Sequence, residues 1–148
     1  MYKIEIYTDG ACSGNPGMGG WAAILIYGSN IKEISGFEKE TTNNQMELKA
    51  VIEALKQLKY QSDVTIHSDS AYVVNAFTQG WLENWQNSGW RTSGKKPVQN
   101  KDLWLQLLSL LQTHKVKFRK VQGHSNNLYN NKCDSLARAE IKKHGGNQ

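Results

Sequence analysis

The sequence predicts one α/β domain, over residues 1–148, whose five-stranded mixed sheet is flanked by helices. The first third of the chain contains three strand-like segments, two that alternate and one continuous apolar run between them, joined by short connections with turn residues, which suggests an antiparallel meander. Beyond them, helical periods alternate with two further short apolar strands, which implies a mixed sheet covered by helices. No repeat or low-complexity block interrupts the chain, and its length suffices for one full core.

Alternation and turn residues predict the strands of the meander. Residues 3–9 alternate between apolar and polar side chains and form the first predicted strand. The second strand is predicted over Trp21–Tyr27 and the third over about 31–39. The glycine-rich segment 14–20 lacks the lysine of a P-loop and the third glycine of a dinucleotide fingerprint, so a hairpin connection is the preferred interpretation.

A change of period predicts the remaining elements. Apolar side chains from Leu48 to Leu58 fall on one helical stripe, with Asn43 or Asn44 as the expected N-cap. A short β-branched strand follows, and residues 81–99 are expected to be irregular or weakly helical. The other predicted elements are a strand over Val64–His67, a helix over Ser70–Gln79, a helix over 102–111, a strand over 116–121 and a final helix over 132–143.

Positive charge and tryptophan are concentrated in one segment. The chain has 18 Lys and Arg against 13 Asp and Glu, which gives a net charge of +5. Trp81 and Trp85 are one helical turn apart and would ordinarily be interpreted as core packing. Interleaved cations favour instead a surface that follows a nucleic-acid backbone and stacks on sugars or bases. These cations are Arg91, Lys95, Lys96 and Lys101.

Several protein classes are disfavoured. No apolar run approaches the roughly 18 residues that a membrane helix needs. The N-terminal residues lead directly into a strand without the layout of a signal peptide, so we expect a cytoplasmic protein with Cys12 and Cys133 reduced. The spacings typical of zinc ligands and of the serine-hydrolase elbow are absent.

Acidic residues at the ends of predicted elements indicate a metal site. Asp9 and Asp69 end the first and fourth strands, and Glu47 precedes the apolar stripe of the first helix. If those two strands are neighbours, their carboxylates lie close together, and each raises the pKa of the other unless a cation is bound. A small set of oxygen ligands suits Mg²⁺. Taken singly, Asp9 and Asp69 are more simply explained as turn residues.

The motifs together resemble type 1 ribonuclease H of bacteria, in order and over nearly the whole chain. Any single motif is weakly specific, whereas the combination is highly specific. The matching segments are Tyr-Thr-Asp-Gly at 7–10, Gly-Asn-Pro-Gly-x-Gly-Gly at 14–20, Thr-Thr-Asn-Asn-x-Met-Glu-Leu at 41–48, Ser-Asp-Ser at 68–70, Gly-Trp-x-Thr at 89–92, Lys-Lys-Pro-Val-x-Asn at 95–100, Asp-Leu-Trp at 102–104, Val-x-Gly-His at 121–124 and Asn-x-x-Cys-Asp-x-Leu-Ala-Arg at 130–138.

The resemblance implies a ribonuclease H-like fold with a basic helical protrusion over about 80–101. It implies an endonuclease that cuts the RNA strand of RNA–DNA hybrids and leaves 5′-phosphate and 3′-hydroxyl ends. His124 matches a loop histidine that assists proton transfer or product release. Two Mg²⁺ ions, with Mn²⁺ as an alternative, are expected at the scissile phosphate. The four carboxylates implied as catalytic metal ligands are Asp9, Glu47, Asp69 and Asp134.

The resemblance also implies a set of substrate contacts. These are Cys12, Asn15, Asn43 and Asn44 at the RNA minor groove, Thr42 and Asn100 at a DNA phosphate, and Trp81, Trp85, Lys95 and Lys96 in the protrusion that holds the DNA strand. Glu40 and Gln45 stand where relatives usually carry arginine, and Asn131 replaces a frequent glutamate. The missing positive charge at Glu40 and Gln45 predicts a lower affinity for substrate than in relatives, and Asn131 leaves no acidic side chain at its position to assist metal exchange.

Two other functions are considered. A hybrid-binding module without catalysis needs only the basic tryptophan-rich surface, and the complete set of carboxylates counts against it. A DNA-directed nuclease on the same fold is disfavoured because we expect no room for a separate DNA-binding domain. The expected partner is an RNA–DNA hybrid, with no membrane association, and the expected oligomeric state is a monomer.

Overall fold

The strands form one five-stranded mixed sheet in the computed structural model of the protein, which describes residues 1–122 and 127–146. They are β1 (Tyr2–Gly14), β2 (Gly17–Tyr27), β3 (Asn30–Thr41), β4 (Ser62–Ser68) and β5 (Lys115–Lys120). Their order is β3-β2-β1-β4-β5, with antiparallel pairing among the first three and parallel pairing of β1 with β4 and of β4 with β5. The predicted meander with two parallel strands is confirmed.

Helices cover both faces of the sheet. They are α1 (Asn43–Lys56), α2 (Ala71–Thr78), α3 (Trp81–Asn87), α4 (Lys101–Leu111) and α5 (Leu128–Lys143). The main core lies between the sheet and α1, where Ile6 and Ala23 pack against Leu48, and α4 closes it from outside with the fully buried Trp104. The neighbouring Ala22 points to the opposite face and packs under α5, as strand alternation requires. No described helix is long and apolar enough to span a membrane.

Two glycines allow helices to approach the strands closely. A Cβ on Gly10 would lie 2.5 Å from the backbone nitrogen of Glu47, so only glycine lets the start of α1 lie directly on β1. A Cβ on Gly20 would meet the carbonyl oxygen of Ala137, so α5 rests on β2 in the same way. The two helices that carry predicted carboxylates are thereby held against the centre of the sheet.

Four predicted boundaries are wrong, each for a local reason. Strand β1 does not end at Asp9 but continues to Gly14, because its second half remains paired with the glycine-rich start of β2. Thr42, rather than Asn43 or Asn44, caps α1, because its extended backbone lets its hydroxyl accept from the Gln45 backbone N–H. Helix α5 begins at Leu128 rather than at 132, since the apolar residues of its first turn, Leu128 and Tyr129, are exposed and the buried one is the polar Asn130. Most of the segment 14–20 is paired strand rather than connection, because glycines without side chains show no alternation.

The predicted protrusion contains one short helix, α3, followed by irregular backbone up to the start of α4. A β-bridge between Arg91 and Pro97, with backbone hydrogen bonds from Thr92 to Lys96 and from Val98 to Trp90, holds this irregular part. Trp90, Lys95 and Asn100 have left-handed backbone, with φ of 63°, 63° and 64°. Such backbone is tolerated by asparagine but is uncommon for tryptophan and lysine.

Candidate active site

A polar cavity of about 390 Å³ opens where β1 and β4 deliver their carboxylates. Thr8 of β1 and Ser68 of β4 form the last pair of the parallel register, so Asp9, within β1, and Asp69, just beyond the end of β4, lie side by side. Helix α1 supplies Glu47 and α5 supplies Asp134. The lining residues are Asp9, Gly10, Asn43, Asn44, Glu47, Asp69, Ser70, Ala71, Tyr72, Asn130, Asn131 and Asp134.

Three carboxylates form the centre of the cavity. One oxygen each from Asp9, Glu47 and Asp69 lie within 4.8 Å of one another. Asp9 is 4% exposed and Glu47 is 5% exposed. The Glu47 Oε1 atom is buried and has no hydrogen-bond partner among the described residues. Buried carboxylate oxygens are normally satisfied, so this group is incomplete without a proton or a cation.

Asp134 lies in the wall of the cavity but outside this group of three. Its Oδ2 atom forms an ion pair of 2.6 Å with Arg138, one turn further along α5. The structure therefore brings all four predicted carboxylates to one cavity and gives the fourth a protein cation as its partner.

Burial and mutual repulsion change the acidity of the buried pair. Burial, with the charges of Asp69 and Asp134, raises the pKa of Asp9 from 3.8 to about 8. Burial, with the charges of Asp9 and Asp69, also raises the pKa of Glu47 well above 4.5. Both carboxyl groups therefore keep a proton to higher pH than an exposed carboxyl does, and a divalent cation would compete with that proton. Crowded oxygen ligands with one unsatisfied atom fit a hard cation such as Mg²⁺.

Asn130 and Tyr72 line the same cavity and were missed as site residues from the sequence. Asn130 is 3% exposed, and its Oδ1 atom has no hydrogen-bond partner among the described residues. It lies one helical turn before Asp134 on α5. That spacing was a usable signal, but the predicted helix began after Asn130 and left it in a loop.

A second polar cavity of about 530 Å³ lies beside the first, between the start of α1 and the end of the protrusion. The backbone N–H of Asn43 donates to Asn15 Oδ1 at 3.1 Å, which ties α1 to the β1–β2 turn. Nearby on β1, Cys12 donates from Sγ to the Thr41 carbonyl at 3.4 Å. The lining residues are Asn15, Thr42, Asn43, Asn44, Gln45, Gln99 and Asn100.

The tryptophans of the protrusion both pack against the core and line a surface cavity. The Trp85 ring packs 5.6 Å from the buried Trp104, so it anchors α3 to the core. Together with Trp81 and Arg91 it also lines a third cavity, of about 300 Å³. Lys95 and Lys96 lie on the exposed loop that follows. Packing and surface roles thus coexist in the same side chains.

The remaining predicted positions are less informative. His124 lies outside the described residues. Glu40 is exposed at the end of β3. Cys12 and Cys133 are both reduced and not joined in a disulfide bond, and burial is the main cause that raises the pKa of each thiol.

The sequence matches the ribonuclease H family and close relatives within it. The family model for RNase H matches residues 1–142. A Ribonuclease H of Acetivibrio thermocellus is 61% identical over 143 residues, which cover 97% of each chain. A Ribonuclease H of Thermoanaerobacter sp. strain X514 is 61% identical over 140 residues, which cover 95% of this chain and 90% of that one.

Solved structures agree with the sequence comparison. LC9-RNase H1, a type 1 RNase H with the type 2 active-site motif, is 29% identical with a TM-score of 0.85, over 98% of this chain and 74% of that one. LC11-RNase H1, crystallised in complex with an RNA/DNA hybrid, is 26% identical with a TM-score of 0.74, over 95% of this chain and 98% of that one.

Proposed function

The chain belongs to the ribonuclease H family, and we propose that it is a metal-dependent endonuclease that hydrolyses the RNA strand of RNA–DNA hybrids. The products carry 5′-phosphate and 3′-hydroxyl ends. The observation that carries the proposal is the buried group of Asp9, Glu47 and Asp69, whose oxygens lie within 4.8 Å of one another. Such a group is costly to fold unless it serves a bound cation.

Mg²⁺ is the proposed cofactor, held by Asp9, Glu47, Asp69 and Asp134. Carboxylate oxygens in small number suit this ion, which completes its coordination with water and substrate phosphate. When bound, two such ions supply an activated water and stabilise the charge that develops on the departing 3′-oxygen. The unpartnered Glu47 Oε1 and the crowding of the carboxylates support this assignment.

The protein groups around the carboxylates have proposed roles in proton transfer and orientation. Because the pKa of Asp9 is raised to about 8, protons leave the site as cations enter, and cation binding strengthens as pH rises. Arg138 holds the Asp134 carboxylate at the cavity wall. The unpartnered Asn130 Oδ1 is available to accept a hydrogen bond from water or from a substrate hydroxyl. A role of His124 in proton transfer or product release is proposed from the resemblance alone.

The second cavity and the protrusion are the proposed hybrid-binding surface. Cys12, Asn15, Asn43 and Asn44 are proposed to read the RNA minor groove, where 2′-hydroxyls distinguish RNA from DNA. Thr42 and Asn100 offer neutral donors to a phosphate of the DNA strand. Trp81 and Trp85 are proposed to stack on that strand, and Lys95 and Lys96 to neutralise its phosphates.

A substrate comparison tests the proposal. Purified protein is given labelled hybrid, double-stranded RNA and double-stranded DNA of one sequence, each with Mg²⁺ and with EDTA. We expect cleavage of the RNA strand of the hybrid in Mg²⁺ only. Binding of the hybrid without cleavage would favour the silent module, and cleavage of DNA would favour the DNA-directed nuclease. A monomeric, cytoplasmic protein is proposed as well, and sedimentation equilibrium measures its mass in solution.

A further inference from the structure

A chain of side-chain hydrogen bonds connects the second cavity to the carboxylate cavity. Gln45 donates from Nε2 to Asn100 Oδ1 at 3.1 Å, and Asn100 donates from Nδ2 to the Tyr72 hydroxyl oxygen at 3.1 Å. Gln45 and Asn100 line the second cavity, whereas Tyr72 lines the carboxylate cavity. The Trp104 indole also donates to the Tyr72 oxygen, at 3.0 Å, and anchors the chain in the core.

The direction of this chain defines the orientation of both amides. The Thr41 hydroxyl donates to Gln45 Oε1 at 2.7 Å, which leaves the Gln45 NH₂ group facing Asn100. Reversing the Gln45 amide alone would place its oxygen against Asn100 Oδ1, an unfavourable contact between two acceptors. Gln45 therefore determines that the Asn100 NH₂ group faces Tyr72.

Asn100 does not form the hydrogen bond that an N-cap residue usually makes to its own helix. It occupies the N-cap position of α4, where asparagine usually accepts a hydrogen bond from a backbone N–H of the first turn. Its side chain makes no such bond, and its backbone is left-handed with φ 64° and ψ 26°. Asparagine tolerates such backbone, and here its side-chain amide bonds Gln45 and Tyr72 instead of the first turn of α4.

Three neutral donors remain available at the second cavity. Gln45 and Asn100 each keep a second N–H beyond the one already engaged. The Thr42 oxygen accepts from the Gln45 backbone N–H at 3.2 Å, so its hydroxyl hydrogen is left to donate. None of the described residues that line the cavity is charged. Converging neutral donors suit an oxygen-rich anion whose charge is shared with solvent, such as a backbone phosphate.

We propose that Gln45 is a positioning residue that orients the Asn100 amide, so that the second cavity binds a DNA-strand phosphate of the hybrid through neutral donors while remaining tied to Tyr72. The inference rests on the proposed function, since the hybrid supplies the phosphate. It assigns Gln45 a role that depends on hydrogen-bond direction rather than on charge. The contribution to binding therefore does not involve release of counterions.

The test compares Gln45→Met, which keeps the length of the side chain and removes its hydrogen bonds, with Gln57→Met as the matched control. Gln57 lies at the other end of α1 and accepts from Lys32 at 2.7 Å. We measure kcat and KM for hybrid cleavage in Mg²⁺ at several salt concentrations. Nuclear magnetic resonance of the free protein follows the Asn100 side-chain amide and the Trp104 indole N–H.

For Gln45→Met we expect KM to rise roughly two- to tenfold, as for the loss of one neutral hydrogen bond, with kcat nearly unchanged. The slope of log KM against log salt should stay at the wild-type value, because no charge is removed. The Asn100 and Trp104 resonances should both shift. Gln57→Met should leave all of these values unchanged.

Unchanged resonances with an unchanged KM would overturn the inference, as would a loss confined to kcat or an equal effect of Gln57→Met. Gln45→Arg is the complementary variant, because it retains a donor towards Asn100 and adds a charge. It should restore KM and steepen the salt slope by about one phosphate contact. A wild-type protein that cleaves no hybrid would refute the proposed function, while the resonances would still test the orientation of Asn100.

Discussion

Replacing Asp69 by Asn is expected to raise the free energy of unfolding of the metal-free protein. A carboxylate oxygen of Asp69 lies within 4.8 Å of oxygens of Asp9 and Glu47. Two full charges at that distance repel each other by about 3.5 kcal/mol at an effective dielectric constant of about 20. Asp69 is half-buried, so solvent screens part of this repulsion.

The gain should depend on pH, because Asp9 has a pKa of about 8 and is mostly protonated at neutral pH. We expect a gain of about 0.5–1 kcal/mol at pH 7, where little repulsion exists to be relieved. At pH 9 Asp9 is ionised, and the gain should rise to about 2 kcal/mol. An increase of the gain with pH distinguishes charge repulsion from a general improvement in packing.

Urea denaturation in EDTA at pH 6, 7 and 9 measures the effect. The matched control is Asp63→Asn, at the other end of β4, where the residue is also half-buried. Asp63 lies in register with Lys3 on β1 and with Lys115 on β5, so removal of its charge should lower stability slightly. The same chemical change at the two ends of one strand should thus have opposite signs.

Added Mg²⁺ provides a second check of the reasoning. A cation that binds the native state stabilises wild type by mass action, and Asp69→Asn removes one of its ligands. The advantage of the variant should therefore shrink or reverse as Mg²⁺ is added. A variant no more stable than wild type in EDTA at pH 9, or a gain independent of pH, would refute the proposed clustering of charge.

Three further predictions concern activity, pH and binding. Asp9→Asn should reduce the initial rate of hybrid cleavage to no more than a few per cent of wild type, and a larger residual rate would argue against its role as metal ligand. The pKa of Asp9 is raised from 3.8 to about 8, so its stabilising contribution is complete below pH 4 and is lost as pH rises towards 8. The free energy of unfolding of the wild-type protein in EDTA should therefore fall between pH 4 and 8. In Asp9→Asn it should fall less. Replacing Lys95 and Lys96 by Ala should weaken hybrid binding and reduce the slope of log Kd against log salt by about one to two, whereas the equally exposed pair Lys115 and Lys117 should tolerate the same change.

Periodicity predicted the sheet and most helices, because burial of one face leaves a repeating mark in the sequence. Ile6 and Leu48 are fully buried, on the strand and helix faces that their spacing indicates. The boundaries that were predicted wrongly lie where this periodic pattern is absent. The first turn of α5 is exposed at Leu128, and the glycines at the start of β2 have no side chains to alternate.

The candidate site was partly accessible from sequence, since carboxylates at strand ends are visible as residue types. The closeness of Asp9 and Asp69 was conditional on the first and fourth strands being neighbours, and the parallel register of β1 and β4 meets that condition. The approach of Glu47 depends on Gly10, whose missing Cβ allows α1 to lie on β1. Asn130 was missed because its position on α5 depends on a helix start whose apolar residues, Leu128 and Tyr129, are exposed and do not continue the buried stripe.

The sequence by itself determined the family, the strand and helix periods and the identity of the acidic residues, because these depend on local patterns and residue types. Only the tertiary structure decided how the side chains are oriented. It paired Asp134 with Arg138, left Glu47 Oε1 without a described partner and turned the Asn100 amide from its helix towards Gln45 and Tyr72. These outcomes depend on contacts between residues that are far apart in the chain. Packing and the direction of hydrogen bonds select one side-chain orientation among several that the local sequence allows equally.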